Sequence, residues 1–149
     1  MGKYQKLIFV CTGNTCRSPM AEAIYKSLDK ISDRKVISRG MVVLFSEPIN
    51  PKAEIVLNKH ELDSGNHVSR GLKASDIDED TLILVMTASQ KKKVMDAFPD
   101  AGEVFTIKEF AGEIGDVMDP YGGTLVEYEE CYVELARLVK KTVYKLNDE

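Results

Sequence analysis

The sequence predicts a single α/β domain in which helices flank a doubly wound, four-stranded parallel sheet. Short apolar runs alternate with helical patterns along the chain, as such a sheet requires. Within the strand-like runs, consecutive positions are apolar, which is typical of strands covered on both faces. The length of 149 residues fits one domain, which we place at residues 1–149.

Four runs are predicted to be strands because they are short, apolar and rich in β-branched residues. The first is Leu-Ile-Phe-Val at residues 7–10, and the second is Val-Ile-Ser at residues 36–38. The third, at residues 82–86, is the clearest strand in the chain, and the fourth covers residues 104–107.

Four stretches between and after these runs show the spacing of helices. The first is predicted to begin at Ser18, as its N-cap, and to keep Ile31 on its buried face. Pro51 is suited to start the second, which is predicted to end around residues 63–65, and the third covers residues 89–98. The last helix is long and amphipathic, and its apolar stripe comprises Leu125, Tyr128, Cys131, Tyr132, Leu135, Leu138, Val139 and Leu146.

Composition excludes several classes of protein. A net charge of −4 and a pI near 5.3 argue against a sequence-independent nucleic-acid binder, which usually has a basic surface. Three cysteines, an odd number, do not make a disulfide framework. No apolar run is long enough for a membrane span, and the run near the start is too short for a secretory signal. We therefore expect a cytoplasmic monomer with no nucleic-acid or membrane partner.

The loop after the first strand, residues 11–18 (Cys-Thr-Gly-Asn-Thr-Cys-Arg-Ser), is the predicted functional site. Ligands of doubly wound sheets bind outside the carboxyl ends of strands, and the N–H groups that open the next helix attract anions there. Gly13 and Asn14 tolerate the left-handed dihedrals of a loop curled around an anion, and Arg17 adds a forked cation. These surroundings favour the thiolate form of Cys11, so the loop indicates phosphoryl transfer.

Single features of this loop have simpler interpretations. Cys11 alone would fit a small buried residue at a strand end. Arg17 after five intervening residues, followed by the hydroxyl of Ser18, favours the phosphate site. The loop has neither the Lys-Ser/Thr of a P-loop NTPase nor a G-x-G-x-x-G pattern.

These residues resemble the signature of the low-molecular-weight protein phosphatases. That signature is C-x5-R followed by Ser or Thr and usually Pro, with D-P late in the chain. Here the two motifs are residues 11–19 and Asp119-Pro120-Tyr121, and length and element order agree over nearly the whole chain. The resemblance implies a flavodoxin-like fold with strand order 2-1-3-4.

The resemblance also implies a role for each motif residue. Cys11 attacks phosphorus and forms a phosphocysteine, while Arg17 and the loop N–H groups bind the phosphoryl oxygens. Ser18 hydrogen-bonds the thiolate, and Asn14 holds the loop in shape. Asp119 protonates the leaving group and then activates the hydrolytic water, and no metal ion or other cofactor is required. The implied phosphate-binding loop comprises Thr12, Gly13, Asn14, Thr15, Cys16 and Ser18.

Chemistry gives an independent reason for Asp119. A departing phenolate or guanidine leaves poorly unless it is protonated, and a positioned acid supplies that proton. An Asp-Pro pair on its own is better explained as a plain turn.

The other cysteines and the histidines have separate interpretations. Cys16 lies five positions after Cys11 and could reach disulfide distance across a curled loop. The resemblance implies that Cys16 is a reversible redox partner of the nucleophile, the alternative being a small core residue. Cys131 lies on an apolar stripe and is predicted to be a core residue. His60 and His67 show no Cys or Asp partner, so structural or surface roles are expected, and the spacings do not fit a zinc site.

Two positions bear on the substrate. Within the family, the residue before the second loop cysteine is a bulky aliphatic in tyrosine phosphatases and threonine in protein arginine phosphatases, and here it is Thr15. Gly122-Gly123 after Tyr121 is also similar to the arginine-phosphatase form, whereas many tyrosine phosphatases have a second tyrosine at position 122. Tyr121 is expected to stack on the substrate side chain, or else to pack on its own surface. We expect phosphorylated proteins as partners, phosphoarginine as the favoured substrate and phosphotyrosine as the alternative.

The sequence argues against two further function classes. Arsenate reductases share the nucleophile loop but need a pair of resolving cysteines after the third strand, and residues 87–103 contain none. Cysteine-phosphorylated sugar-transport domains, which are non-hydrolytic phosphocarriers, lack this Cys-to-Arg spacing. They also lack a late acid, so Asp119 distinguishes an enzyme from a carrier.

Overall fold

The computed structural model describes residues 3–148, so residues 1, 2 and 149 of the predicted domain lie outside the described residues. A short 3₁₀ turn at Ala74–Asp76, which was not predicted, precedes the third strand. The strands and helices are β1 (Lys6–Cys11), α1 (Arg17–Leu28), β2 (Lys35–Gly40), α2 (Pro51–Lys59), β3 (Thr81–Val85), α3 (Ala88–Ala97), β4 (Val104–Thr106), α4 (Ile107–Phe110) and α5 (Leu125–Asn147).

The sheet is parallel throughout and has the order β2-β1-β3-β4, which confirms the predicted fold class. In the central strand, Leu7 and Phe9 join the core formed with α1, α2 and α5, whereas Ile8 and Val10 join a second core that includes Val94 of α3. These four residues of β1 are fully buried because helices cover both faces of the sheet. The carboxyl ends of β1 and β3 therefore open onto one edge, where the 11–18 loop lies.

The first helix differs from the prediction at both ends. It begins at Arg17, and its N-cap is Cys16, which makes no side-chain capping bond. The predicted cap Ser18 is inside the helix, where its hydroxyl contacts the Cys11 thiol instead. The helix ends at Leu28 because Asp29 accepts the next free N–H groups, so Ile31 lies beyond the helix and is 87% exposed rather than buried.

The other boundaries differ by smaller amounts. Pro51 starts α2 as predicted, with Asn50 as N-cap, but the helix ends at Lys59, before residues 63–65. Ile107 was predicted to end the fourth strand, yet it opens α4, because the Thr106 hydroxyl caps that short helix by accepting from the N–H of Glu109.

Candidate active site

The 11–18 loop leaves the carboxyl end of β1 and enters α1 beside a cleft of about 360 Å³. Asn14 and Ser18 do not line this cleft and are fully buried behind the loop. The predicted residues that line it are Cys11, Thr12, Gly13, Thr15, Cys16, Arg17, Asp119 and Tyr121.

The thiol of Cys11 lies 2.9 Å from the hydroxyl oxygen of Ser18. That oxygen accepts a hydrogen bond of 2.8 Å from the Asn14 side-chain amide. The Ser18 hydroxyl hydrogen is therefore available to point at the sulfur, which would stabilise a thiolate.

Asn14 connects the loop to β2 and to the segment before β3. Its backbone is left-handed, with φ of 58°, and its amide also donates to the hydroxyl of Ser38 at 3.0 Å. Its side-chain oxygen accepts from the N–H of Arg70 at 3.0 Å, and its carbonyl lies 2.7 Å from Nε2 of His67. Ser38, His67 and Arg70 were not predicted as site residues. The one sequence signal for them was Ser38 itself, a hydroxyl directly after the apolar pair Val36-Ile37 of the predicted second strand.

Arg17 is almost fully buried, although it carries a charge. One guanidinium nitrogen donates to the carbonyl of Val117 at 2.7 Å, and another lies 3.6 Å from the Asp119 carboxylate. Its Nε is buried, and no acceptor among residues 3–148 satisfies it. Because buried donors are normally satisfied, this nitrogen points to an anionic ligand beside the loop.

Asp119 lies in the loop between α4 and α5, with its side chain 47% exposed at the mouth of the cleft. Its carboxylate accepts from the N–H of Tyr121 at 3.0 Å. This loop is anchored just beyond the end of β3, because the N–H of Val117 donates to the carbonyl of Met86 at 2.9 Å. Asp119 is therefore held on the same cleft as the Cys11 thiol.

Comparisons with known proteins agree with this geometry. The sequence profile of the family described as "Low molecular weight phosphotyrosine protein phosphatase" matches residues 6–149. The chain belongs to this family. A low molecular weight protein-tyrosine-phosphatase, PtpB of Staphylococcus haemolyticus, is 35% identical over 91% of this chain and 96% of its own length.

Solved structures of arginine phosphatases are also similar to this phosphatase. YwlE arginine phosphatase from Geobacillus stearothermophilus has a TM-score of 0.90 at 35% identity, covering 96% of this chain and 93% of its own. A second YwlE arginine phosphatase, with a TM-score of 0.88 at 36% identity and 97% coverage of both chains, is a cysteine-to-serine mutant whose active-site serine is phosphorylated. The similarity therefore extends to relatives named for two different substrates.

The three cysteines of the phosphatase are free and buried. The Cys16 sulfur lies 3.5 Å from the hydroxyl of Tyr128 and 3.8 Å from that of Thr15. Burial raises the pKa of the Cys16 thiol and outweighs these hydrogen bonds, which lower it. Cys131 lies in the core as predicted, and burial raises its pKa to about 12.

The rim of the cleft was only partly predicted. Tyr121 is 72% exposed at the mouth, so it does not pack on its own surface. Leu44 and Phe45, which are 85% and 73% exposed, also line the cleft and were not predicted. The sequence signal was the apolar run at residues 42–45, directly after β2.

Outside the cleft, His60 has a structural setting, with its ring stacked on Tyr132 at 4.0 Å and 2.7 Å from the Glu129 carboxylate. In the described part of the chain, no three metal-ligating side chains are grouped as a metal site would require. Nor does any helix in residues 3–148 combine the length and apolar character needed to cross a membrane.

Proposed function

We propose that this phosphatase hydrolyses phosphoarginine on proteins through a phosphocysteine intermediate. The observation that carries the chemistry is that Cys11, Arg17 and Asp119 line one cleft. A nucleophile, a buried cation and a half-exposed acid on one cavity are the groups that metal-independent phosphoryl transfer requires.

The proposed reaction has two steps. The Cys11 thiolate attacks phosphorus, an S–P bond forms, and the P–N bond of phosphoarginine breaks as Asp119 gives its proton to the departing nitrogen. The Asp119 carboxylate then takes a proton from water, whose oxygen attacks phosphorus. The S–P bond breaks, and inorganic phosphate leaves with the thiolate restored.

The residues around the thiol serve the charges of this reaction. The unsatisfied Nε of Arg17 and the N–H groups of the 11–18 loop are suited to bind the phosphoryl oxygens. The Ser18 hydroxyl at 2.9 Å stabilises the thiolate both before attack and as the leaving group of the second step. The phosphorylated active-site serine of the YwlE mutant supports a covalent phosphoenzyme formed at the position of Cys11.

The substrate class is proposed from the walls of the cleft. Thr15, a hydroxyl residue, and the acidic residues Glu47 and Asp119 are among the residues that line this cavity. A phosphorylated guanidinium is planar, polar and cationic, so these groups complement it better than they complement a phenyl ring. The similarity to YwlE arginine phosphatases agrees with this proposal.

Phosphotyrosine is the second candidate. The exposed rings of Tyr121 and Phe45 at the rim could pack against a phenyl ring, and PtpB is named a tyrosine phosphatase. The two candidate substrates would react through the same two steps and differ only in the atom that Asp119 protonates.

The test is the ratio of kcat/KM for two peptides that differ only in carrying phosphoarginine or phosphotyrosine. We expect the phosphoarginine peptide to be preferred, and Thr15→Ile to move the ratio toward phosphotyrosine by about 10-fold, as expected for one altered pocket contact. Cys11→Ser is the inactive control. A large preference of the unmodified enzyme for phosphotyrosine would overturn the proposed substrate, and an unchanged ratio in Thr15→Ile would show that Thr15 is not the filter.

We further propose that the enzyme is a cytoplasmic monomer acting on phosphorylated proteins. Three free, buried cysteines suit a reducing compartment. Sedimentation of the purified protein at micromolar concentration tests the monomer, and fractionation of cells tests the compartment.

A further inference from the structure

A second cleft, of about 430 Å³, adjoins the active-site cleft. The two cavities share Ser69 and the side chains of residues 43–45, which form a ridge between them. Beyond the ridge, the second cleft is lined by Arg39, Arg70 and Lys73. A polypeptide bound in the first cavity can therefore extend into the second.

Hydrogen bonds fix the ridge and the second cleft to the nucleophile loop. Glu47 and Ser69 exchange two bonds, from the N–H of Glu47 to the Ser69 hydroxyl at 2.9 Å and from the N–H of Ser69 to the Glu47 carbonyl at 2.8 Å. The N–H of Arg70 donates to the Asn14 side chain, and the Arg70 carbonyl accepts from Gly40 at 2.8 Å. The backbone of Arg70 is thus held at a constant position relative to the phosphate-binding loop.

The charge of the second cleft is not balanced internally. Arg39 is paired with Asp76, whose carboxylate lies 3.2 Å from the Arg39 Nε. Arg70 and Lys73 are exposed, and within residues 3–148 neither side chain forms a salt bridge. Two uncompensated cations therefore face one cavity of a protein whose net charge is −4.

We propose that the second cleft binds an anionic side chain of the substrate polypeptide, a carboxylate or a second phosphoryl group, a few residues from the phosphorylated residue. The inference rests on the proposed function only in that the substrate is a phosphorylated protein. Two to four extended residues span about 7 to 14 Å, the scale of two adjoining cavities. Glu47 and Asp119 make the first cavity partly acidic, so the opposite charge of the second sets the direction in which a peptide binds.

The experiment uses peptides with a glutamine, glutamate or phosphoserine at each of positions one to four on either side of the phosphorylated residue. Each series is made with phosphoarginine and again with phosphotyrosine. At low ionic strength we expect glutamate at the preferred position to raise kcat/KM about 3- to 10-fold over glutamine, and 1 M salt to remove most of this effect. The phosphoserine arm distinguishes a second phosphoryl group from a carboxylate, and acceleration in either arm supports the proposal.

Two double variants decide whether the effect belongs to this cleft. Arg70→Gln with Lys73→Gln should bring the glutamate-to-glutamine ratio to about one. The control, Lys30→Gln with Lys140→Gln, removes the same amount of positive charge outside both clefts. Lys30 lies just beyond the end of α1 and Lys140 lies in the second half of α5, so this variant should leave the ratio unchanged. A ratio of one in the unmodified enzyme, or an equal loss in both variants, would overturn the proposal. Because the ratio is taken within each series, a preference for phosphotyrosine overturns the proposed substrate and leaves this test intact.

Discussion

Asn14 shows how one residue can hold a catalytic loop in shape. Its left-handed backbone, with φ of 58°, turns the loop, while its side chain bonds Ser18, Ser38 and the N–H of Arg70. The residue is fully buried, so each lost bond would leave a polar group without water to replace it. Asn14 thereby orients the Ser18 hydroxyl, which contacts the Cys11 thiol.

Replacing Asn14 separates its two contributions. Asn14→Gly keeps the backbone conformation but removes the side-chain bonds, so we expect the free energy of unfolding to fall by about 3 kcal/mol. Asn14→Ala adds the strain of a left-handed alanine, about 1 kcal/mol more. Urea unfolding measures both values, and equal stability of the two variants would contradict the conformational part. Both should also lose most of their kcat.

We expect Cys16 to protect Cys11 from oxidation. Burial raises the pKa of Cys16, so this thiol stays protonated and resists direct attack by peroxide. We expect peroxide to convert Cys11 to a sulfenic acid, which then condenses with the Cys16 thiol, releasing water and forming a disulfide. Mass spectrometry should find the loss of two hydrogens, and dithiothreitol should restore activity.

The matched controls for this oxidation are Cys16→Ser and Cys131→Ser. Cys16→Ser leaves the sulfenic acid without a partner, so further oxidation to the sulfinic acid and irreversible loss of activity are expected. Cys131→Ser should behave like the unmodified enzyme, because Cys131 lies on α5 outside the 11–18 loop. Full recovery of Cys16→Ser after peroxide treatment would refute the role of Cys16.

At the scale of elements, the turn into α5 positions the proposed acid. Gly122 has a φ of 81°, and a Cβ on Gly123 would lie 2.8 Å from the Pro120 carbonyl oxygen and 2.9 Å from Oε1 of Glu127. That Glu127 carboxylate also accepts from the N–H of Thr124 at 3.0 Å and closes the capping box of α5. The backbone of this turn therefore requires glycine at both positions, in addition to any effect of the pair on substrate choice.

We expect Gly123→Ala to displace the loop that carries Asp119. The two close contacts should destabilise the fold by about 1 to 3 kcal/mol. Misplacement of the acid should lower kcat by about 10-fold, with a smaller change in KM. Gly102→Ala is the control, because no atom beyond its two chain neighbours lies within 4 Å of its added Cβ. Thermal unfolding and steady-state kinetics measure both effects, and identical kcat in the two variants would show that Asp119 is not held by this turn.

The sheet and the long helices could be predicted because their pattern is local and repeats. β1 is apolar at consecutive positions, and the α5 stripe follows a helical period. Boundaries failed where a single side chain decided them. Asp29 ends α1 before Ile31, and Thr106 opens a helix of four residues that is too short to show a period.

The candidate site was predictable to the extent that its residues are close in sequence. Cys11, Arg17 and Ser18 share one loop, and the chemistry of each is readable from its type and spacing. Ser38 and His67 bond to the loop from distant segments, 24 and 53 positions away from Asn14 in the sequence. Such contacts depend on the register of the packed sheet, which a single sequence does not encode locally.

At the scale of the whole molecule, a buried polar network fixes the end opposite the active site. Asp29, at the end of α1, accepts from Tyr25 at 2.8 Å and from Asn147, at the end of α5, at 3.1 Å. Arg34 lies 3.6 Å from the Asp29 carboxylate and also donates to the carbonyl of Tyr4 at 2.8 Å. The network thus joins the segment before the first strand, the first helix and the last helix.

The stability conferred by this network should depend on pH through Asp29. Burial raises the pKa of its carboxyl, but hydrogen bonds from Ser32 and Tyr25 outweigh burial and hold the pKa well below the ordinary value of 3.8. A folded pKa below the unfolded one means that the stabilisation is complete above about pH 5 and is lost as the pH falls toward the folded pKa. Acidification should therefore weaken the junction of α1 and α5 while Asp29 is being protonated.

Asp29→Asn tests this dependence. At pH 7 we expect the variant to be less stable by about 3 kcal/mol, because a side chain that is 3% exposed loses its charge beside Arg34. The difference from the unmodified enzyme should narrow between pH 5 and pH 2, since the Asp29 carboxyl of the unfolded wild-type chain then takes up a proton that the folded chain does not bind, and this lowers the wild-type stability. Asp33→Asn, at an exposed site without a salt bridge among the described residues, should show no such difference. Urea unfolding at pH 7, 5 and 3 measures the free energy of unfolding of each protein. A difference between Asp29→Asn and the unmodified enzyme that stays constant or widens as the pH falls would contradict the role of the ionised Asp29.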